Sequence, residues 1–144
     1  MRNFGLPFFF FLLVLAIAIA LACGSGTAPI NASGILKSIT ISPATADAQN
    51  YSDGQVPFIA TGYYSTPPSP VTPLTAIWGA CYQDSPSGGV SVGTKGLAQC
   101  AAGSVGTYTV WAYAPSGQTV CPAFVNACGG GGCQVTGTAQ LTCP

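Results

Sequence analysis

From Val135 to Cys143 the chain alternates without a break. Val135, Gly137, Ala139, Leu141 and Cys143 fall on one side, and Thr136, Thr138, Gln140 and Thr142 on the other. A period of two sorts residues this way only on extended backbone, so the stretch reads as a strand with one dry and one wet face. The same rhythm recurs upstream in short runs punctuated by Gly, Pro, Ser, Asn and Asp. Residues 35–42 place Ile39 and Ile41 together, and residues 56–64 place Val56, Phe58 and Ala60 together. Residues 74–82 align Leu74, Ala76, Trp78 and Ala80, and residues 107–114 align Tyr108, Val110, Ala112 and Ala114. Shorter strands at 90–92 and 97–100 bring the total to about seven, and no helical period competes, so the expectation is an all-β, immunoglobulin-like β-sandwich over residues 35–144. Pro43, Asp53-Gly54, the prolines at 67, 68, 70 and 73, Gly88-Gly89 and Gly93 supply the turns between strands.

Charge is almost missing from this chain. Charged residues make up 4% of it against 49% hydrophobic, there is no His, and the acids are Asp47, Asp53 and Asp84 alone. With Arg2, Lys37 and Lys95 as the only cations, no cluster exists to displace counterions from phosphates, which excludes nucleic acid as a partner. The lack of His removes the commonest proton carrier near neutral pH. Three scattered Asp form neither a paired-carboxylate site nor a calcium loop. The reading is a protein without catalytic activity and without a cofactor.

Export is written at the start. Arg2 precedes an apolar run over residues 4–21 that ends in Ala20, Leu21, Ala22 and Cys23. That is the pattern of a cleavable signal peptide over residues 1–22, although a run of this length also approaches the ~20 residues of an uncleaved anchor helix. Cys23 after small residues resembles the lipobox of bacterial lipoproteins, whose thiol is acylated and becomes the first mature residue. Ala20 stands where that pattern prefers Leu, Val or Ile, which leaves ordinary cleavage after Ala22 open. Thiol parity favours the lipid, since seven Cys less Cys23 leave an even six for an oxidising compartment. Residues 23–34 are small and polar, as in a flexible tether. The expected location is the bacterial cell envelope, with the membrane as partner through acyl chains on Cys23.

The six remaining cysteines are Cys81, Cys100, Cys121, Cys128, Cys133 and Cys143. No pair has the two-residue spacing of a soft-metal site, so disulfides are expected and metal is not. Cys81 with Cys100 would bridge the Trp78 strand to the next strand region, a loop worth about 3 kcal/mol in chain entropy. The other four sit in or beside a Cys- and Gly-rich insertion at 115–134. There Cys128 with Cys133 would clip a run of four glycines, leaving Cys121 with Cys143.

Order and spacing together resemble the bacterial immunoglobulin-like domain, group 2. The resemblance rests on Leu36-Lys37-Ser38-Ile39-Thr40-Ile41-Ser42-Pro43, then Phe58-Ile59-Ala60-Thr61-Gly62-Tyr63, then Trp78 on a central strand. Gly96-Leu97-Ala98 leading to Ala101-Ala102-Gly103 follows, and the last two strands are 106–112 and 135–141. The chain departs from that family in its six cysteines and in the insertion. The resemblance implies a module of bacterial surface and secreted proteins, used for adhesion or spacing, with no activity of its own.

Burying Tyr108, Val110 and Ala112 turns Trp111 and Tyr113 to the opposite face of their strand. Aromatic side chains on a sheet surface suit contact with a protein partner or stacking on sugar rings. Tyr63, and also Tyr82, would extend the pair if their strands were neighbours. The insertion folding back over the pair as a small second core is the competing expectation. Function is therefore expected to be surface presentation toward an extracellular protein, with a carbohydrate-binding module as the alternative and a small disulfide-stapled enzyme or inhibitor third.

Overall fold

The computed structural model describes residues 34–118, 128 and 131–144. Residues 1–33, including Cys23, and Cys121 lie outside the described residues, and so do the readings made of them. Ten strands follow in chain order: β1 (Leu36–Ser42), β2 (Thr45–Asp47), β3 (Gln55–Pro57), β4 (Ile59–Tyr64), β5 (Ile77–Tyr82), β6 (Ser85–Pro86), β7 (Val90–Val92), β8 (Leu97–Cys100), β9 (Gly106–Pro115) and β10 (Gln134–Cys143). Two 3₁₀ turns, Ala48–Asn50 and Ser52–Gly54, separate β2 from β3.

One sheet runs β2-β10-β9-β5-β6; β1 pairs with β4, and β3-β8-β7 form a third ladder. Only Phe58 stands between β3 and β4, and its N–H donates to the Gly96 carbonyl at 2.9 Å, so the two continue one line of chain within one layer. That layer, β1-β4/β3-β8-β7, faces β2-β10-β9-β5-β6. The order is that of an immunoglobulin-like sandwich, first, second, fifth and fourth strands against third, sixth and seventh. The chain changes layer after β1, so that β2 adds to β10 in parallel, with Leu141 opposite Ala46.

The period-two reading fixes the faces correctly. Val56, Phe58, Ala60, Tyr108, Val110, Ala112, Ala114, Ala139, Leu141 and Cys143 are all buried. Full burial of Leu141 or Val110 contributes roughly 1.5–3 kcal/mol each. Leu36 joins Ile39 and Ile41 inside although its spacing to Ile39 is odd, because the β1–β4 register slips between Leu36 and Ser38. This bulge throws Lys37 and Ser38 both to solvent and returns Leu36 to the core. Trp78 packs half-buried against the same core. The turn before β8 fits over its indole because Gly96, at φ +79, has no side chain. Gly137 plays the corresponding part at the β1 crossing: a Cβ there would lie 2.7 Å from the Ile39 carbonyl oxygen.

The structure adds β2 and β6 to the seven expected strands and divides the second at Phe58. Three-residue and two-residue strands carry too few positions for a period to show, and each exists because a longer neighbour offers a ladder. The β9–β10 hairpin closes at Pro115 opposite Gln134. Just beyond it the Ser116 N–H donates to the Cys133 carbonyl at 2.6 Å, while the Ser116 carbonyl accepts from Leu36 N–H at 2.9 Å. Ser116 is 5% exposed, so the insertion leaves and re-enters the sandwich through a buried neck.

Sulfur pairing differs from expectation. Cys100 bonds Cys143, and Cys81 bonds Cys128. Alternation along β5 sends Trp78 and Ala80 inward and Cys81 outward, whereas Cys100 on β8 packs against the core, so Cys81 and Cys100 stand on opposite sides of a layer. Cys143 occupies the dry side of β10 and meets Cys100 across the sandwich, not Cys121. Cys128 goes to β5 and does not clip the glycine run to Cys133. Cys133 is disulfide-bonded as well.

Candidate functional site

The outer face of the β2-β10-β9-β5-β6 sheet is built by β9. With Tyr108, Val110, Ala112 and Ala114 turned in, Trp111 and Tyr113 stand out, their rings 5.2 Å apart and inclined by only 15°. Ladder register sets their neighbours: Trp111 lies between Thr138 of β10 and Gly79 of β5, and Tyr113 between Thr136 and Ile77. A Cβ on Gly79 would fall inside the indole, so the missing side chain is the seat on which Trp111 rests. Ile77, beside Tyr113, is 56% exposed.

Trp111 is therefore packed more than displayed. Both it and Tyr113 are half-buried, and the indole Nε1 has neither solvent nor an acceptor among the described residues. An unpartnered buried N–H costs about 1–3 kcal/mol, which packing on Gly79 and Tyr113 must offset. The Cys81–Cys128 bridge sits on the same outer face, two residues from Gly79, and Cys81 is itself 2% exposed. A link to the insertion thus lies beside the aromatic pair.

Farther along, the face is made of hydroxyls and amides. Thr107 and Thr142 approach to 3.4 Å between their Oγ1 atoms, and Gln140 Nε2 donates to Thr109 Oγ1 at 3.3 Å. No charged side chain lies on the outward positions of β9 and β10.

Tyr63 does not extend the pair. It is on β4, in the opposite layer, 40% exposed. Tyr82 is on β5 beside β9, but it turns toward Tyr108, the ring centroids 5.1 Å apart, at the end of the core. Residue order alone does not tell which strands adjoin β9. Gly79 was the missed residue, and its signal was a glycine inside the strand Ile77-Trp78-Gly79-Ala80.

The three carboxylates stand in separate turns. Asp47 caps the first 3₁₀ turn by accepting from Gln49 N–H at 2.9 Å. Asp53 and Asp84 occupy left-handed backbone at φ 58 and 60, a conformation Asp tolerates better than most residues. Among the described residues no group of three His, Cys, Asp or Glu is placed to hold a metal ion. No protein-family model matches the chain, and a comparison with curated proteins finds no match either.

Proposed function

We propose that the protein is an exported, non-catalytic display module of the bacterial immunoglobulin-like group 2 type, held to the cell envelope by acyl chains on Cys23. It acts in adhesion, spacing or partner binding through the outer face of the β2-β10-β9-β5-β6 sheet. The observation that carries this reading is that face: an uncharged surface of Thr and Gln on β9 and β10 that leads to Tyr113 and exposed Ile77, steadied by Trp111 in its glycine seat. Use of Asp47, Asp53 and Asp84 in three separate turns supports a role without acid–base chemistry.

Tyr113 is the residue to remove, because its ring lies at the rim while Trp111 supports the fold. Tyr113→Ala is expected to weaken attachment of whole cells, or of the purified protein to its partner, by about tenfold or more while the sandwich stays folded. Tyr63→Ala, on the other layer, leaves attachment unchanged. Attachment equal to wild type in Tyr113→Ala would remove the sheet face from the reading.

A carbohydrate partner on the same face is the second reading. Its support is the ring of Tyr113 flanked by the β10 threonines, a pairing of an apolar ring with hydroxyls that suits a sugar.

A further inference from the structure

At one end of the sandwich the 3₁₀ turns after β2 and the segment after β8 flank an open cleft of about 410 Å³. Gln49, Tyr51, Asp53, Gln99 and Ser104 line it. Among the described residues the side chains of Gln49, Asp53 and Gln99 and the hydroxyls of Tyr51 and Ser104 make no hydrogen bond to protein, so five polar groups, three of them exposed, line this space uncommitted. Tyr51 is half-buried, one part packed against the core and the rest forming a wall of the cleft.

The walls are held in place. Tyr51 N–H donates to Ala48 O at 3.2 Å and Gly54 N–H to Tyr51 O at 3.1 Å, which closes the turn that carries Asp53. Across the cleft Ser104 N–H donates to Ala101 O at 3.0 Å, and the Cys100–Cys143 bridge ties that segment to β10. A site arranged before binding loses little entropy when a ligand enters.

Chemistry narrows the occupant. Neither Lys37 nor Lys95 lines the cleft, so among the described residues no cation is placed there to attract an anion. Asp53 is the only carboxylate side chain in its lining, short of the six to eight oxygen ligands calcium collects. One carboxylate side chain, two amides and two hydroxyls accept from and donate to a dense array of neutral hydroxyls, with the Tyr51 ring against a C–H face. We infer that this cleft binds a neutral saccharide unit of a glycan chain. The inference does not depend on the sheet face around Tyr113.

The test is isothermal titration of the exported protein with three neutral probes: cellohexaose, maltohexaose and chitohexaose. At least one is expected to bind, and Asp53→Asn and Gln99→Ala each weaken it by about tenfold, as loss of a hydrogen bond to a charged or amide group does. Both residues are exposed, and Asn accepts the left-handed backbone of Asp53, so circular dichroism of the variants should match the parent. Tyr113→Ala should bind as the parent does. Equal affinity in Asp53→Asn and Gln99→Ala overturns the cleft, as does silence toward all three probes. Loss in Tyr113→Ala alone moves the sugar to the sheet face and leaves the second reading above intact. Heat from calcium chloride alone that vanishes in Asp53→Asn makes the cleft a cation site and overturns the saccharide.

Discussion

The two described bridges close segments of nearly equal size, with 43 residues separating Cys100 from Cys143 and 47 separating Cys81 from Cys128. Loop entropy alone would credit each with about 4 kcal/mol. Their surroundings differ. Cys100 and Cys143 are strand residues facing each other across the core, so they join two layers already fixed by ladders. Cys81 is a strand residue too, but Cys128 belongs to no strand, and the bond joins the outside of one sheet to the insertion. Equal loops therefore constrain different things. When the first is cut, only the unfolded chain gains freedom. When the second is cut, Cys128, which no ladder holds, gains freedom in the native state as well, and part of the entropy cancels.

That comparison breaks or sharpens under three substitutions. The largest effect belongs to Cys100→Ala with Cys143→Ala, expected to lower the unfolding free energy by about 4 kcal/mol in urea titration. A loss below about 1 kcal/mol would show that the ladders hold the layers without sulfur. Next comes Gly79→Val, which inserts a side chain where the indole lies and is expected to destabilise by about 1–3 kcal/mol. In a Trp78→Phe background its emission should move to longer wavelength as Trp111 is displaced. Unaltered emission would mean that the indole does not rest on Gly79. Smallest in stability is Cys81→Ala with Cys128→Ala, expected to change the unfolding free energy by under about 1 kcal/mol. Acrylamide quenching of Trp111 should nonetheless rise. A loss matching the first pair would erase the distinction between the two bridges.

What the residues disclose before folding depends on how many positions repeat. Ten-residue β9 and β10 show their faces plainly, and every inward assignment in them agrees with the buried set except Val135, which packs half-buried against the same core. β2 and β6 are decided by neighbours, so no local pattern announces them. The bulge at Lys37 hid Leu36, because one extra residue moves a side chain from face to face. For the cysteines part of the answer was visible: Cys143 fell on the dry side of β10, which points across the core and away from the insertion. Only strand adjacency could identify Cys100 as its partner. The same missing adjacency separated Tyr63 from Trp111. Nothing in the order of residues brought Tyr51, Asp53 and Gln99 together, since the turns reach Gln99 only through the pairing of β3 with β8, which sets Gln55 opposite Gln99.

The neck at Ser116 and Cys133 makes the segment between them an interchangeable cassette. Its two ends share a backbone hydrogen bond, and the cost of closing a loop grows only slowly with length. An engineer can lengthen that segment or graft a foreign peptide into it while β1 to β10 keep their register, provided that Cys128 stays within reach of Cys81.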